Sequence, residues 1–112
     1  MNKNYLMKVK IAFKGKNEKL SYFLEEYISE QVDSPWGNSD IQVHDTGATY
    51  TTIDLNWNYS NFITCEEDYN CVSQRLDTLK RCGIIHWFSV VHNSVELISY
   101  QKEPVLHALD LA

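Results

Sequence analysis

A chain of 112 residues with a formal charge of −5, 44% apolar and 12% aromatic, is long enough for one hydrophobic core and too short for two. That composition excludes a disordered chain, and the excess of carboxylates disfavours nonspecific attraction to nucleic acid or anionic membrane, whose phosphates attract Lys and Arg. Three Cys, odd in number and in no CxxC pair, make no disulfide framework, so a reducing, cytosolic setting is expected.

The charge is unevenly spread. Residues 1–20 hold six Lys against one Glu, whereas residues 21–70 hold ten acids and no Lys or Arg. Lys8 and Lys10 interrupt the apolar character of MNKNYLMKVKIAF, so it lacks a signal-peptide core. No stretch approaches the roughly 20 apolar residues of a membrane helix.

From Tyr5 to Phe13 the chain alternates, with Tyr5, Met7, Val9, Ile11 and Phe13 on one face, and this predicts a half-buried strand. Beyond Gly15, Asn17 is placed to cap a helix whose apolar stripe is Leu20, Phe23, Leu24, Tyr27, Ile28 and Val32. Glu25, Glu26 and Glu30 then face water. Pro35 is expected to stop that helix, with Trp36-Gly37-Asn38 completing a turn.

Residues 40–58, DIQVHDTGATYTTIDLNWN, read as a β-hairpin. Ile41 and Val43 on one arm and Thr51, Ile53, Leu55, Trp57 and Tyr59 on the other share a core face only if odd positions pair with odd ones. A three-residue loop, Asp45-Thr46-Gly47 with Gly47 in the left-handed region, satisfies this. The opposite face then carries Asp40, Gln42, His44, Tyr50, Thr52, Asp54, Asn56 and Asn58.

Thr64 followed by Glu67 forms a capping-box pattern opening a second helix, with Tyr69, Val72, Leu76 and Leu79 as its stripe. Glu66, Glu67 and Asp68 at its start, Lys80 and Arg81 at its end and Gly83 as a stop all agree with the helix dipole and C-terminal capping. Ile84 to Val91 reads as a strand covered on both faces. A turn at Asn93-Ser94 leads to a last strand, Val95 to Gln101, and residues 103–112 form a short helix or a tail.

The order βαββαββ predicts one α+β domain spanning residues 1–112. Its core matches the ferredoxin-like βαββαβ arrangement, with two helices on one face of an antiparallel sheet and an extra C-terminal strand at the edge. Such a fold hosts enzymes, nucleic-acid binders and regulatory modules alike, so function must come from the side chains.

Those side chains carry no recognisable chemistry. RNA-binding modules of this topology stack bases on aromatics of the first and third strands, but Tyr50 has no aromatic companion there. His44, His86, His92, His107 and the Cys residues lack metal-ligand spacings. Cys65, near a helix start, is opposed as a thiolate by Glu66, Glu67 and Asp68. With only Arg75 and Arg81, no phosphate-binding Arg is available outside the second helix. Asp40 and Asp54 could pair as acid and base, yet on an open face solvation is the plainer role. No catalytic residue, metal ligand or cofactor is assigned, and a non-enzymatic role is favoured over catalysis.

Interaction is what remains. The expected partner-binding residues are Asp40, Gln42, His44, Tyr50, Asp54 and Asn56 on the hairpin and Glu25, Glu26 and Glu30 on the first helix, two patches on opposite sides of the sheet. They fit a basic protein partner, itself a nucleic-acid binder in the sharpest form of the idea, with no direct nucleic-acid or membrane contact. The favoured reading is a cytosolic protein-binding or inhibitory protein, of which phage-encoded inhibitors of host defence are one type. A homodimer formed through the sheet face or edge, including Trp36 and the C-terminal leucines, is also expected. The competing reading is a dimeric small-molecule-sensing or catalytic module of the same fold.

Overall fold

The computed structural model describes residues 5–33 and 37–94. Its elements run β1 (Tyr5–Lys14), α1 (Glu18–Ser29), β2 (Asn38–Thr46), β3 (Ala48–Tyr59), α2 (Phe62–Arg81) and β4 (Trp87–Ser94). The four strands form one sheet in the order β2-β3-β1-β4, antiparallel throughout, with both helices on one face. This is the ferredoxin-like α+β core. The anticipated strand at 95–101, the helix or tail at 103–112, Pro35 and Trp36 lie outside the described residues.

Alternation in β1 and β3 builds the core. Met7, Val9, Ile11 and Phe13 of β1 and Ile53, Leu55, Trp57 and Tyr59 of β3 are all buried against the helices. Leu24 and Ile28 of α1 and Cys65, Val72, Leu76 and Leu79 of α2 complete it. Thr51 extends the set, its hydroxyl donating to the Gly15 carbonyl at 2.7 Å and fixing the end of β1 against β3.

The hairpin has the expected parity, Ile41 facing Ile53 and Val43 facing Thr51. Its turn is tighter than the expected Asp45-Thr46-Gly47 loop: Asp45 pairs with Thr49 and Thr46 with Ala48, leaving Gly47, at φ 89°, between the strands. The Thr49 hydroxyl donates to Asp45 Oδ1 at 2.8 Å, which holds this tighter closure.

Both helices depart from expectation at an end. Asn17 caps α1 as predicted, accepting from the Leu20 amide at 3.0 Å. The helix stops at Ser29, ahead of Pro35, where Gln31 and Val32 donate to the carbonyls of Ile28 and Ser29 in tighter three-residue turns. Asn61, not Thr64, caps α2, accepting from the amides of Ile63 and Thr64 at 2.8 and 3.2 Å. Asn serves that position at least as well as Thr, so α2 begins at Phe62 and its first turn holds no acid. The dipole argument for Glu66, Glu67 and Asp68 therefore fails.

At its far end α2 closes as predicted on Gly83, at φ 79°. Ile84 N donates to Leu79 O and Gly83 N to Lys80 O, both at 3.0 Å, which is a Schellman closure. That motif consumes Ile84, and Ile85 then plugs the core, so the last described strand starts at Trp87 rather than Ile84. Asn93 and Ser94 are not a turn but continue β4, paired with Leu6 and Tyr5.

Candidate functional site

The hairpin residues expected to bind a partner do share one face. Asp40 lies directly opposite Asp54, Gln42 opposite Thr52, His44 opposite Tyr50, and Asn56 opposite Asn38, all on the sheet surface away from the helices. The register across the sheet places Ser89, Lys10, Asp54 and Asp40 in one row. Lys10 Nζ lies 3.7 Å from Asp54 Oδ1, and Gln42 Nε2 donates to Asp40 Oδ2 at 2.7 Å. His44 stacks on Tyr50 with ring centres 4.6 Å apart, and its Nε2 is 2.9 Å from Thr52 Oγ1.

Those contacts change what this face can do. Two facing carboxylates would repel, but Lys10 and Lys8 stand in the adjacent strand, so the surface carries both signs in balance. It is a mutually hydrogen-bonded polar sheet face, not a negative patch. Short side chains in its middle, Ala12, Thr52 and Ser89, are buried between longer ones such as Trp87, which pairs with Ala12.

Glu25 and Glu26 on α1 and Glu30 at its C-cap lie across the sheet, Glu26 and Glu30 exposed and Glu25 half-buried. Phe23, which the sequence pattern places on the apolar stripe, joins them: it is 51% exposed and stacks on Tyr27 at 5.5 Å, beside Tyr22 at 63% exposed. The buried side of α1 is instead Ser21, Leu24 and Ile28. Ser21 takes an inward position, its hydroxyl donating to the Asn17 carbonyl at 3.0 Å, and Phe23, two residues on, lies off that side.

The same placement leaves the helix-side face of β2 bare. Val43, opposite buried Thr51, is 45% exposed, and Ile41 is only half-buried. A groove of about 270 Å³ runs between α1 and β2, lined by Ser21, Tyr22, Ile41, Val43 and Thr51 with Lys16 and Glu18 at its end. Tyr22 also borders a shallow depression with Glu25, Glu26 and Ser29 on the outer side of the helix. The apolar groove and the carboxylates of Glu25 and Glu26 therefore meet at Tyr22. Only the excess length of the Phe23-Leu24-Tyr27-Ile28 stripe, wider than one helix can press against a sheet, hinted at this in the sequence.

The acid that sequence reasoning misjudged most is Asp68. It is 4% exposed, and its Oδ2 accepts from the Tyr59 hydroxyl at 2.7 Å and from the Asp33 amide at 2.9 Å. One buried carboxylate thus joins α2, the end of β3 and the segment after α1. Cys65, one turn earlier, is fully buried, and burial together with the carboxylates of Asp68 and Glu66 pushes its thiol up to about 11. It is a core side chain in the thiol form. Among the described residues no group of three His, Cys, Asp or Glu could hold a metal, and no helix is long and apolar enough to cross a membrane.

No protein-family model and no curated protein matches the sequence. Solved structures share the fold. An amidase of the hydantoinase/carbamoylase family from Burkholderia multivorans aligns over 84% of this chain and 28% of its own, with a TM-score of 0.53 and 7% identity. A de novo designed protein, Foldit4, aligns over 80% of this chain and 96% of its own, at TM-score 0.46 and 10% identity. The ACT domain from GTP pyrophosphokinase of Chlorobium tepidum aligns over 79% and 86%, at TM-score 0.42 and 13% identity. At these identities the likeness is one of fold alone.

Proposed function

We propose that this chain is a non-enzymatic protein-binding domain that docks, through the outer side of α1 and the α1–β2 groove, on a basic protein. The observation that carries the reading is the exposure of Tyr22 and Phe23 among Glu25, Glu26 and Glu30, beside a groove that leaves Val43 uncovered. Exposed aromatics are costly in isolation and are the residues that anchor interfaces, whereas carboxylates around them steer and select a partner of opposite charge. Since Lys8 and Lys10 balance Asp40 and Asp54, the partner-facing charge narrows to α1. Inhibition of a nucleic-acid-binding protein is the sharper form of this proposal, because such partners supply the complementary basic surface.

The test is a low-salt pull-down with salt-gradient elution, run in parallel on three variants. Basic proteins held by the wild type should be lost by Glu25→Gln/Glu26→Gln/Glu30→Gln and by Tyr22→Ala/Phe23→Ala, and kept by Asp40→Asn/Asp54→Asn. Equal retention by all the variants would overturn the proposal.

A further inference from the structure

A second concavity, lined by other residues than the α1–β2 groove, lies where β1 leaves the sheet and α2 ends. This cleft of about 430 Å³ is lined by Phe13, Lys14, Leu20, Lys80, Gly83, Ile84, Ile85 and His86. Its volume falls within the roughly 300–1,000 Å³ of small-molecule sites. Phe13 and Ile85, 2% and 3% exposed, close its base, and half-buried Leu20 and Ile84, 40% exposed, offer it apolar surface.

The charge of the cleft opposes that of the chain. In a protein of net charge −5, this cleft is lined by two lysines and a histidine and by no carboxylate. Neither Lys14 nor Lys80 has a carboxylate within ion-pair distance among the described residues, since the nearby Asp77 is taken by Arg81. The α2 terminus would repel an anion through its free carbonyls, but those of Leu79 and Lys80 are engaged by Ile84 N and Gly83 N. Two exposed lysines beside the accessible apolar side chains of Leu20 and Ile84 suit a negative head on a hydrocarbon body.

We infer that the cleft between Lys14, Lys80 and His86 binds a small monocarboxylate with an apolar body. The lysines hold the carboxylate as charge-assisted donors, and Leu20 and Ile84 receive the hydrocarbon. The site shares no residue with the α1–β2 surface, so its failure and the failure of the docking proposal are separable.

Titration of the ¹⁵N-labelled protein with octanoate tests this, with octanamide and inorganic phosphate as parallel probes. Octanoate should give saturable amide shifts centred on Leu20, Gly83, Ile85 and His86. Octanamide, lacking the charge, and phosphate, lacking the hydrocarbon, should each bind about tenfold more weakly or worse, and Lys14→Gln/Lys80→Gln should weaken octanoate by about tenfold with the rest of the spectrum unchanged. Absence of saturable shifts up to about 10 mM would overturn the inference. So would equal affinity for octanamide or phosphate, or octanoate binding undiminished in the lysine variant.

Discussion

The Tyr59 hydroxyl donates to Asp68 Oδ2 at 2.7 Å, and the same oxygen takes the Asp33 amide at 2.9 Å. Tyr59→Phe removes one charge-assisted bond and should cost about 2 kcal/mol, whereas Asp68→Ala strands both donors and should cost about 3 kcal/mol. Because both act on one bond, the double variant should lose less than the sum. Urea midpoints of the three variants at neutral pH measure this. Strict additivity would contradict the shared bond.

Alkaline pH should weaken the fold through the same cluster. Burial, and then the bond to the Asp68 carboxylate, hold the Tyr59 hydroxyl far above its ordinary 10.0, while the Cys65 thiol is pushed from 9.0 to about 11. A folded-state pKa raised above the unfolded one contributes stability that is complete below the unfolded value and lost as pH rises, because the unfolded chain ionises first. Stability should therefore fall from about pH 9 and more steeply above about pH 10. In Tyr59→Phe the loss above pH 10 should be shallower; an identical slope in wild type and variant would refute the assignment.

Gly37 packs closer to β3 than any side chain allows. A Cβ there would stand 2.5 Å from the Asn56 carbonyl oxygen, a backbone atom that cannot swing away. Gly37→Ala should lower stability by about 2 kcal/mol through displacement of β2 from β3. Thermal unfolding checks this; a melting point unchanged from wild type would show that the strand shifts freely.

Much of this fold was legible because period-2 patterns in β1 and β3 are unambiguous and parity alone fixed which hairpin residues share a face. What was not legible depended on partners distant in sequence. Asp68 looks like a helix-start acid until Tyr59 and Asp33 are brought to it, and Asn61 outcompetes Thr64 for a cap that either could serve. The candidate site shows the same limit. Phe23 and Val43 have the spacing of core residues, but the inward side of α1 is Ser21, Leu24 and Ile28, which leaves Phe23 outside it, and Val43 stays uncovered on β2. Asp40 and Asp54 were placed together correctly, but the pairing of Asp54 with Lys10, which with Lys8 balances their charge, depends on the register of β1 against β3.

The central claim, that the partner is met on α1 and not on the sheet face, is tested most directly by position-specific photo-cross-linking in the presence of captured basic proteins. One sample carries the photoreactive residue at position 22 and another at position 40. Adducts at position 22 that disappear at high salt, with none at position 40, are the predicted result. Adducts at position 40 and none at position 22 would contradict it.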